Sequence, residues 1–337
     1  MSFTVTIEPS GHRMTVEDNE TLLEAALRQN IGLPYGCRSG LCGSCMCHLE
    51  SGQIHYPEGP SEILEGEDPS SILSCQALAQ SDLVIRADEL EWAQDIEVRI
   101  LPCKVHSLER IAHDVVRLQL KLPEGQRLQF QAGQYLDVIL SDGRKRAFSI
   151  ANAPHDDEYI ELHVRHVDGG QFTDFVFSEM QPKAILRIEA PLGRFTLRDQ
   201  SDRPMIFVAG GTGFAPIKGI IEHALHVGDS RPLQFYWGVR AQRDLYMAEL
   251  AQSWQEKHSH IRFIPVLSEP DADWSGRTGW VHEAVQADNP DLSGFDVYMA
   301  GPPPMINAAK AGFEAAGLDL ARLYSDSFEY GAAADKT

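Results

Sequence analysis

The alternation of hydrophobic and polar positions changes period along the chain and divides it into three segments. In the first, up to about residue 87, residues 3–7 and 13–16 alternate like the strands of a hairpin that turns at Pro9-Ser10-Gly11. Thr21 then precedes apolar positions spaced as one face of a short helix, which ends near Pro34. Strand-like stretches follow at residues 46–50 and 83–87. We therefore predict a small β-rich fold, followed by an acidic linker over residues 88–97.

The second and third segments differ in rhythm. Between residues 100 and 199, apolar and polar residues alternate strictly, as at 117–122 and 160–165, and Gly and Pro turns separate the stretches. This pattern predicts an antiparallel β-barrel, with one helix over residues 173–180. After residue 203, continuous apolar strands alternate with helical stretches, which predicts a doubly wound parallel α/β sheet. The predicted strands of this third segment are residues 205–209, 233–237, 263–267 and 297–299.

Composition adds limits on size and partners. The chain has 337 residues, enough for two or three domains, and its hydrophobic content of 43% is ordinary for a globular protein. The net charge of −20 argues against nucleic acid or an anionic membrane surface as a partner, although a protein with a basic docking face fits it. The first residues, MSFTVTI, do not resemble a secretory signal, and no apolar run approaches the ~20 residues of a membrane span. The expected location is the cytoplasm.

Four of the six cysteines have a spacing with chemical meaning. They form the pattern C-x4-C-x2-C-x29-C, whose first three positions match plant-type [2Fe–2S] ligation, and they are Cys37, Cys42, Cys45 and Cys75. Gly36, Gly40 and Gly43 let the backbone turn its N–H groups toward sulfur. The alternatives are a structural zinc site, for which only one C-x2-C pair is present, or buried free thiols. Cys47 lies on a predicted strand and is interpreted as core filling rather than a fifth ligand.

Residues 35–47 (YGCRSGLCGSCMC) resemble a plant-type ferredoxin loop, and the chain beyond resembles the oxygenase-reductase branch of the ferredoxin–NADP reductase superfamily. This branch includes reductases of phenol hydroxylases and reductases that serve CDP-4-keto-6-deoxyglucose-3-dehydrase. Residues 102–104 (PCK) and 147–154 (AFSIANAP) resemble the dehydrase reductases most. The resemblance implies a multi-domain α+β protein: a β-grasp ferredoxin domain at 1–88, a β-barrel FAD domain at 98–200 and an NAD(P) domain at 201–330.

The resemblance also implies a flavin site in the second segment. The superfamily's Arg-x-Tyr-Ser motif is matched by Arg146-Ala147-Phe148-Ser149, with Phe in place of Tyr. Arg146 is expected at the pyrophosphate, Phe148 on the flavin ring, and Ser149 near N5, so Phe148 and Ser149 are the expected catalytic residues. Gly170 and Thr173 are expected at the pyrophosphate, which favours FAD over FMN. Further expected flavin neighbours are His163, Val164, Arg165 and, near the end of the chain, Phe328.

A nicotinamide-nucleotide site is implied in the third segment. The strand at 205–209 leads into Gly210-Gly211-Thr212-Gly213, where glycines allow close approach to phosphate. Gly301 and Pro302 begin a stretch that resembles the family's Cys-Gly-Pro-Pro-x-Met motif, with Ala300 at the cysteine position. Arg240 and Arg243 are candidates for contact with a 2′-phosphate, whereas Asp244 would repel one. NADH is favoured, with NADPH as the alternative.

Together these motifs predict an NAD(P)H-dependent oxidoreductase that passes electrons through FAD to its own [2Fe–2S] cluster and on to an acceptor protein. The acceptor is expected to be an iron–sulfur dehydrase of deoxysugar synthesis or, alternatively, an aromatic or alkane oxygenase component. Two further alternatives are a [2Fe–2S] redox sensor and a simple diaphorase that reduces free quinones or flavins. The complete flavin and nucleotide motifs argue against the sensor, and the ferredoxin segment argues against the diaphorase.

Overall fold

The computed structural model describes residues 2–29, 31–35, 40, 45–89 and 96–328. Its internal contacts divide the chain into two compact units. The first comprises Met1–Arg99, Leu122–Gln131 and Pro154–Glu158, and the second comprises Ile100–Lys121, Ala132–Ala153 and Tyr159–Thr337. The domain boundaries expected from the sequence, at 1–88, 98–200 and 201–330, stay a prediction.

The first unit contains a mixed sheet with one helix. Its elements are β1 (Phe3–Glu8), β2 (His12–Val16), α1 (Leu22–Arg28), β3 (Met46–Ser51), β4 (Ile54–His55), β5 (Ser71–Leu73), β6 (Leu78–Ala79) and β7 (Leu83–Arg86). The strand order is β2-β1-β7-β3-β5, with β1 parallel to β7 and the other neighbours antiparallel. Thr21 caps α1 by accepting a hydrogen bond from the Glu24 amide, while the Glu24 carboxylate accepts one from the Thr21 amide. The predicted hairpin and helix are both confirmed.

The second unit begins with a six-stranded antiparallel sheet. Its elements are β8 (Arg99–Arg110), β9 (Val115–Lys121), β10 (Tyr135–Ile139), β11 (Lys145–Ser149), β12 (Ile160–Arg165), α2 (Gln171–Ser178) and β13 (Ile185–Leu192). The order is β11-β10-β13-β8-β9-β12. The Ala151 amide, just after β11, donates to the Glu161 carbonyl on β12, so the two end strands meet and the sheet curls into a barrel. The helix begins at Gln171, two residues before the expected start at Thr173.

The rest of this unit is a parallel sheet covered on both faces. It consists of β14 (Met205–Gly210), α3 (Phe214–His226), β15 (Leu233–Val239), α4 (Ala248–Lys257), β16 (Ile261–Leu267), β17 (Arg277–Thr278), α5 (Val281–Asp288), β18 (Asp296–Gly301), α6 (Pro303–Ala315) and β19 (Leu323–Ser327). Phe207 faces the core shared with α3 and α4, whereas its neighbours Ile206 and Val208 face the core shared with α5 and α6. This confirms the predicted doubly wound sheet.

The strand order of the parallel sheet is β17-β16-β15-β14-β18-β19. After β14 the chain first builds β15, β16 and β17 on one side, and then returns to build β18 and β19 on the other. The order therefore reverses between β14 and β18. In open parallel sheets, the carboxyl ends of two such strands bound the usual ligand crevice.

Candidate functional site

Two of the four candidate cluster ligands lie in the described residues, and they are neighbours. Cys45 directly precedes β3, and its carbonyl accepts from the Ser74 amide, which continues the pairing of β3 with β5. This register brings the Sγ atoms of Cys45 and Cys75 to 3.1 Å, with both residues buried. The separation is too long for a disulfide of ~2.05 Å and suits two thiolates that share a metal centre. Cys37 and Cys42 lie outside the described residues.

The other two cysteines have the surroundings of core residues. Cys47 lies on β3 and Cys103 on β8, and each is about 2–3% exposed. Burial raises the pKa of each thiol to about 12. Because only a thiolate ligates iron readily, these two buried thiols fit the interpretation as core filling.

Gly40, between the candidate ligands Cys37 and Cys42, is a position whose backbone conformation and surroundings favour glycine. Its φ is +78°, and a Cβ built there would lie 2.4 Å from the side-chain amide carbon of Gln76. On its other side, the Ser61 hydroxyl donates to the Gly40 carbonyl at 2.8 Å. A glycine at position 40 therefore suits the space that residues 61 and 76 leave, which fits a place within a cluster-binding loop.

The expected flavin motif lies on β11, where Phe148 and Ser149 are both partly exposed. The Phe148 ring lies 5.3 Å from the Phe172 ring on α2, so the two rings form a small aromatic surface. Arg146 donates to the neighbouring Lys145 carbonyl at 2.8 Å. β11 thus ends with an aromatic ring and a hydroxyl at consecutive positions, two groups that can contact a flat heteroaromatic cofactor.

Ser149 has a partner that sequence reasoning missed. Its hydroxyl donates to the Asp326 carboxylate at 3.2 Å, although the two residues are 177 positions apart. β19 carries Asp326 there because it pairs in parallel with β18, and the Phe328 amide donates to the Gly301 carbonyl at 3.0 Å. β19 and Phe328 are thereby held against both the candidate flavin strand and the loop after β18.

Burial raises the pKa of Asp326 to about 6, against the opposing effect of the Ser149 hydrogen bond. An unfolded Asp titrates near pH 3.9, so between about pH 4 and pH 6 the folded chain holds a proton that the unfolded chain has released. The contribution of this group to stability is therefore full below pH 4 and lost as the pH rises through 6. Asp326→Asn is neutral throughout, and we expect its melting temperature to rise relative to that of wild type between about pH 4 and pH 6.5.

The gain in the free energy of unfolding of Asp326→Asn is at most ~2 to 3 kcal/mol, since one pKa unit corresponds to ~1.4 kcal/mol. Thermal unfolding of both proteins across this pH range measures it. Asp168→Asn is the matched control, because the Asp168 carboxylate is fully exposed. Parallel pH profiles for Asp326→Asn and wild type would show that Asp326 does not titrate in this range.

The remaining candidate flavin residues lie in different surroundings. Gly170 precedes α2 and no side chain caps the helix there, so its first N–H groups are open to a ligand. The Thr173 hydroxyl is engaged with the Val167 and Gly170 carbonyls, both at 3.1 Å. His163 and Val164 on β12 have fully buried side chains, which leaves only their main chain for contact with a ligand.

The glycine-rich loop after β14 is packed closely against the loop after β18. A Cβ on Gly213 would lie 1.9 Å from the Ala300 carbonyl oxygen, and one on Gly210 would lie 2.6 Å from the Met305 sulfur. The indole N–H of Trp237 on β15 donates to the Gly211 carbonyl at 2.9 Å and so fixes the position of the glycine-rich loop. Glycines at these positions let two loops converge at the point where the strand order reverses, as a phosphate-binding crevice requires.

A cavity of about 950 Å³ opens at this point. It is lined by the loops after β14, β15 and β18 and by the start of α5, including Gly210, Gly211, Thr212, Arg240, Trp280 and Pro302. Trp280 is 62% exposed, which offers a free indole face to a ligand. The size of the cavity and its glycine-bearing walls fit a dinucleotide.

Charged residues of both signs line the same cavity. Arg165 donates to the Asp114 carboxylate at 2.7 Å, and its guanidinium lies 2.8 Å from the position of a Cβ on Gly211. The structure thus places Arg165, an expected flavin neighbour, beside the glycine-rich loop. Asp244 and Glu283 also line the cavity, whereas Arg243 does not and its side chain is 75% exposed. The sequence motifs gave no signal for Asp114 or Glu283.

Comparison with known proteins identifies the domains in which these residues lie. Three family models match successive parts of the chain: a 2Fe-2S iron–sulfur cluster binding domain over residues 5–80, an oxidoreductase FAD-binding domain over 102–197 and an oxidoreductase NAD-binding domain over 207–311. The cofactors are therefore a [2Fe–2S] cluster, FAD and a nicotinamide nucleotide. Among the described residues, no helix is long and apolar enough to cross a membrane.

Relatives match over nearly the whole length. The chain is 40% identical to the CDP-6-deoxy-L-threo-D-glycero-4-hexulose-3-dehydrase reductase of Yersinia pestis, over 97% of this chain and 99% of the relative. It is 36% identical to the phenol 2-monooxygenase reductase component DmpP of a Pseudomonas species, over 92% and 89%. The crystal structure of the Amycolatopsis cytochrome P450 reductase GcoB matches with a TM-score of 0.66 and 33% identity, over 97% and 98%.

Identity of this extent, together with three matching domains in this order, decides the family. The buried cysteine pair, the aromatic strand β11 and the glycine-lined cavity lie within the three domains, in the same order. The chain belongs to the iron–sulfur flavoprotein reductases, electron-transfer oxidoreductases that carry electrons from a nicotinamide nucleotide through FAD and a [2Fe–2S] cluster to an acceptor protein.

Proposed function

We propose that this reductase uses NADH and delivers electrons to an iron–sulfur dehydrase that acts on a CDP-linked deoxyhexulose. The observation that carries the proposal is the presence, in one chain, of the buried Cys45–Cys75 pair and the glycine-lined cavity at the sheet's reversal point. The dehydrase as acceptor is supported by the 40% identity to the Yersinia pestis reductase over nearly the full length of both chains. The proposed domains are 1–88, 98–200 and 201–330, and the proposed location is the cytoplasm.

Cys37, Cys42, Cys45 and Cys75 are the proposed cluster ligands. When bound, FAD accepts two electrons as a hydride from the nicotinamide, and the cluster carries electrons one at a time. Ser61 and Gln76 support the ligand loop at Gly40, and the β3–β5 pairing fixes the spacing of the two described thiols.

Arg146, Phe148, Ser149, Gly170 and Thr173 are the proposed side-chain and loop contacts for FAD. Phe148 would cover the ring, and Ser149 would orient its hydroxyl toward the reacting edge. The Asp326 carboxylate accepts a hydrogen bond from the Ser149 hydroxyl and so fixes the direction of its O–H bond. The main chain of residues 163–165 and the side chain of Phe328 complete the proposed flavin surroundings.

Residues 210–213, Arg240, Gly301 and Pro302 are the proposed nucleotide contacts. The loop amides and the start of α3 would bind the pyrophosphate, and Arg165 adds a positive charge beside Gly211. Ala300, which stands where relatives are expected to carry cysteine, is fully buried under Gly213. Binding of the nucleotide therefore depends on the close packing of these two loops.

The charges around the cavity favour NADH over NADPH. The cavity wall combines Arg165 and Arg240 with the carboxylates of Asp114, Asp244 and Glu283, and Arg165 is already paired with Asp114. Arg243 is not part of this wall, and its side chain is 75% exposed. A 2′-phosphate would add about two negative charges beside a wall that already carries three carboxylates. Repulsion between like charges disfavours its binding. We expect kcat/KM for NADH to exceed that for NADPH by at least about tenfold, or ~1.4 kcal/mol.

Anaerobic titration with NADH and then NADPH, followed by visible absorbance and low-temperature EPR, tests the proposed cofactors and the nucleotide preference. Bleaching of the flavin together with the rhombic signal of one reduced [2Fe–2S] centre is the expected result with NADH. Flavin bleaching without a cluster signal would contradict the proposed electron route. Equal response to both nucleotides would contradict the preference for NADH.

An oxygenase component is the second candidate acceptor, because the phenol hydroxylase reductases match over most of the chain at 36–38% identity. Reconstitution with a purified dehydrase and with a phenol hydroxylase oxygenase distinguishes the two. NADH-dependent turnover with the dehydrase alone supports the proposal, and turnover with the oxygenase alone overturns it.

A further inference from the structure

A row of buried polar side chains crosses the second unit between β12 and α3. Lys218 on α3 and Glu161 on β12 are 6% and 8% exposed, and the side chain of His163 is wholly buried. Glu161 Oε1 lies 3.4 Å from Lys218 Nζ and 3.0 Å from His163 Nε2. His163 Nδ1 lies 3.1 Å from the Tyr246 hydroxyl. We call Lys218, Glu161, His163 and Tyr246 the buried polar row.

Three oxygen atoms surround the ammonium group of Lys218. Lys218 Nζ carries three N–H donors, and it faces the Ala151 carbonyl at 3.2 Å, the Glu222 carboxylate at 2.9 Å and the Glu161 carboxylate at 3.4 Å. Ala151 lies two residues beyond Ser149, the last residue of β11. The row therefore begins at the main chain just after the proposed flavin strand, β11.

The direction of the hydrogen bonds along the row is fixed. Burial opposes ionisation of Glu161, yet the hydrogen bond from His163 and the charge of Lys218 outweigh it and lower its pKa to about 2. Burial lowers the pKa of His163, which favours the neutral ring. A carboxylate only accepts, so the neutral ring must carry its proton on Nε2, and Nδ1 must then accept from Tyr246.

The other end of the row reaches the nucleotide cavity. Tyr246 lines that cavity, and its ring lies edge-on to Trp237, which holds the Gly211 carbonyl. Between the two ends, α3 is pressed against the chain after β11, since a Cβ on Gly219 would lie 3.0 Å from the Asn152 carbonyl. The row thus links the support of the flavin strand to the wall of the nucleotide cavity.

Burying a lysine and a carboxylate is costly for stability, and an apolar pair of the same size is often as stable or more so. Ionic groups in such a place are therefore better explained by the geometry that they fix than by the stability that they add. We propose that the buried polar row is a positioning device, which sets the flavin strand and the nucleotide cavity at the separation that hydride transfer requires. This inference rests on the proposed flavin and nucleotide sites.

Lys218→Met tests the role of the row, because it keeps the length of the side chain and removes the ammonium group. In the full-length holoenzyme, the limiting rate of flavin reduction by NADH, measured by anaerobic stopped flow, is expected to fall about tenfold. The Kd for NAD⁺, measured by calorimetry, and the FAD content are expected to stay near wild type. Lys310→Met, which changes an exposed lysine on α6, is the matched control.

A double variant, Glu161→Gln with Lys218→Met, separates positioning from stability. It removes the carboxylate that Lys218→Met leaves without its cation, so we expect its melting temperature to return toward that of wild type while the rate of flavin reduction stays low. Recovery of the rate together with the melting temperature would overturn the inference, as would an unchanged rate in both variants. If Lys218→Met does not fold, Glu161→Gln alone must show the same loss of rate with unchanged Kd.

The wild-type protein distinguishes failure of this inference from failure of the proposed sites. If NADH does not reduce flavin in the wild type, the proposed sites are wrong. If it does, and the variants match the wild-type rate, only the positioning role is wrong.

Discussion

Cys75→Ser is expected to abolish the [2Fe–2S] cluster while NADH still reduces FAD. The Cys75 thiol is buried 3.1 Å from Cys45, and serine offers a weaker, harder ligand whose hydroxyl does not ionise readily in such a place. Loss of a residue that only supports a metal ligand already lowers metal affinity or activity about 10–100-fold. Loss of a ligand itself should therefore lower NADH-dependent reduction of cytochrome c at least about 100-fold. Reduction of ferricyanide, a diaphorase activity, should stay within about twofold of wild type.

Iron and sulfide analysis, EPR of the dithionite-reduced protein and the two reductase assays measure this prediction. Cys47→Ala is the matched control, because Cys47 is also buried and lies on β3, two residues after Cys45. It should keep the cluster signal and lose only a small packing contribution. A full cluster signal in Cys75→Ser, or its loss in Cys47→Ala, would show that the ligands are assigned wrongly.

The contrast between these cysteines shows what sequence can predict. The spacing of Cys37, Cys42 and Cys45 is local, because the loop is short and its glycines lie between or beside these cysteines. The proposed fourth ligand, Cys75, was included from the overall cysteine pattern, but only the structure shows that the pairing of β3 with β5 brings it to Cys45. Local periodicity likewise predicted the first hairpin, α1 and the parallel strands, because each of these elements buries one or both of its own faces.

The periodicity of hydrophobic residues could not predict contacts between elements that are distant in sequence. Asp326 meets Ser149 across 177 positions, and Lys218 meets Ala151 across 67 positions. The sequence motifs assigned no role to the side chain of Asp326 or Lys218, and a lysine within the apolar face of a helix is an exception to the pattern rather than the sign of a site. Arg165 was expected beside flavin because it follows His163 and Val164 on one strand, yet the end of that strand lies beside Gly211. The strand alternation could not show which loop its last residue reaches.

Gly213→Ala is expected to lower the rate of flavin reduction by NADH at least about 100-fold. The φ and ψ of Gly213 are −57° and −13°, which alanine adopts without strain, so the effect is purely one of space. The new Cβ would lie 1.9 Å from the Ala300 carbonyl oxygen and 2.5 Å from its carbon. Both atoms belong to the main chain of β18, the strand next to β14 in the sheet, so the glycine-rich loop must move away from β18. A displacement of about 1 Å at a reacting geometry is enough for such a loss.

A graded series of glycine variants makes this prediction sharp. Gly210→Ala meets the flexible Met305 side chain at 2.6 Å and the Pro302 ring at 2.9 Å. Neither overlap is as close as the 1.9 Å overlap with main chain in Gly213→Ala, so its effect should be smaller. Gly294→Ala has no atom within 4 Å of the new Cβ and should leave the rate unchanged. Stopped-flow reduction by NADH, with EPR of the dithionite-reduced cluster as the measure of an intact first unit, ranks the three variants. If Gly213→Ala is reduced as fast as Gly294→Ala, the nucleotide does not bind where the loops after β14 and β18 converge, and the reversal point of the sheet is not the site of hydride delivery.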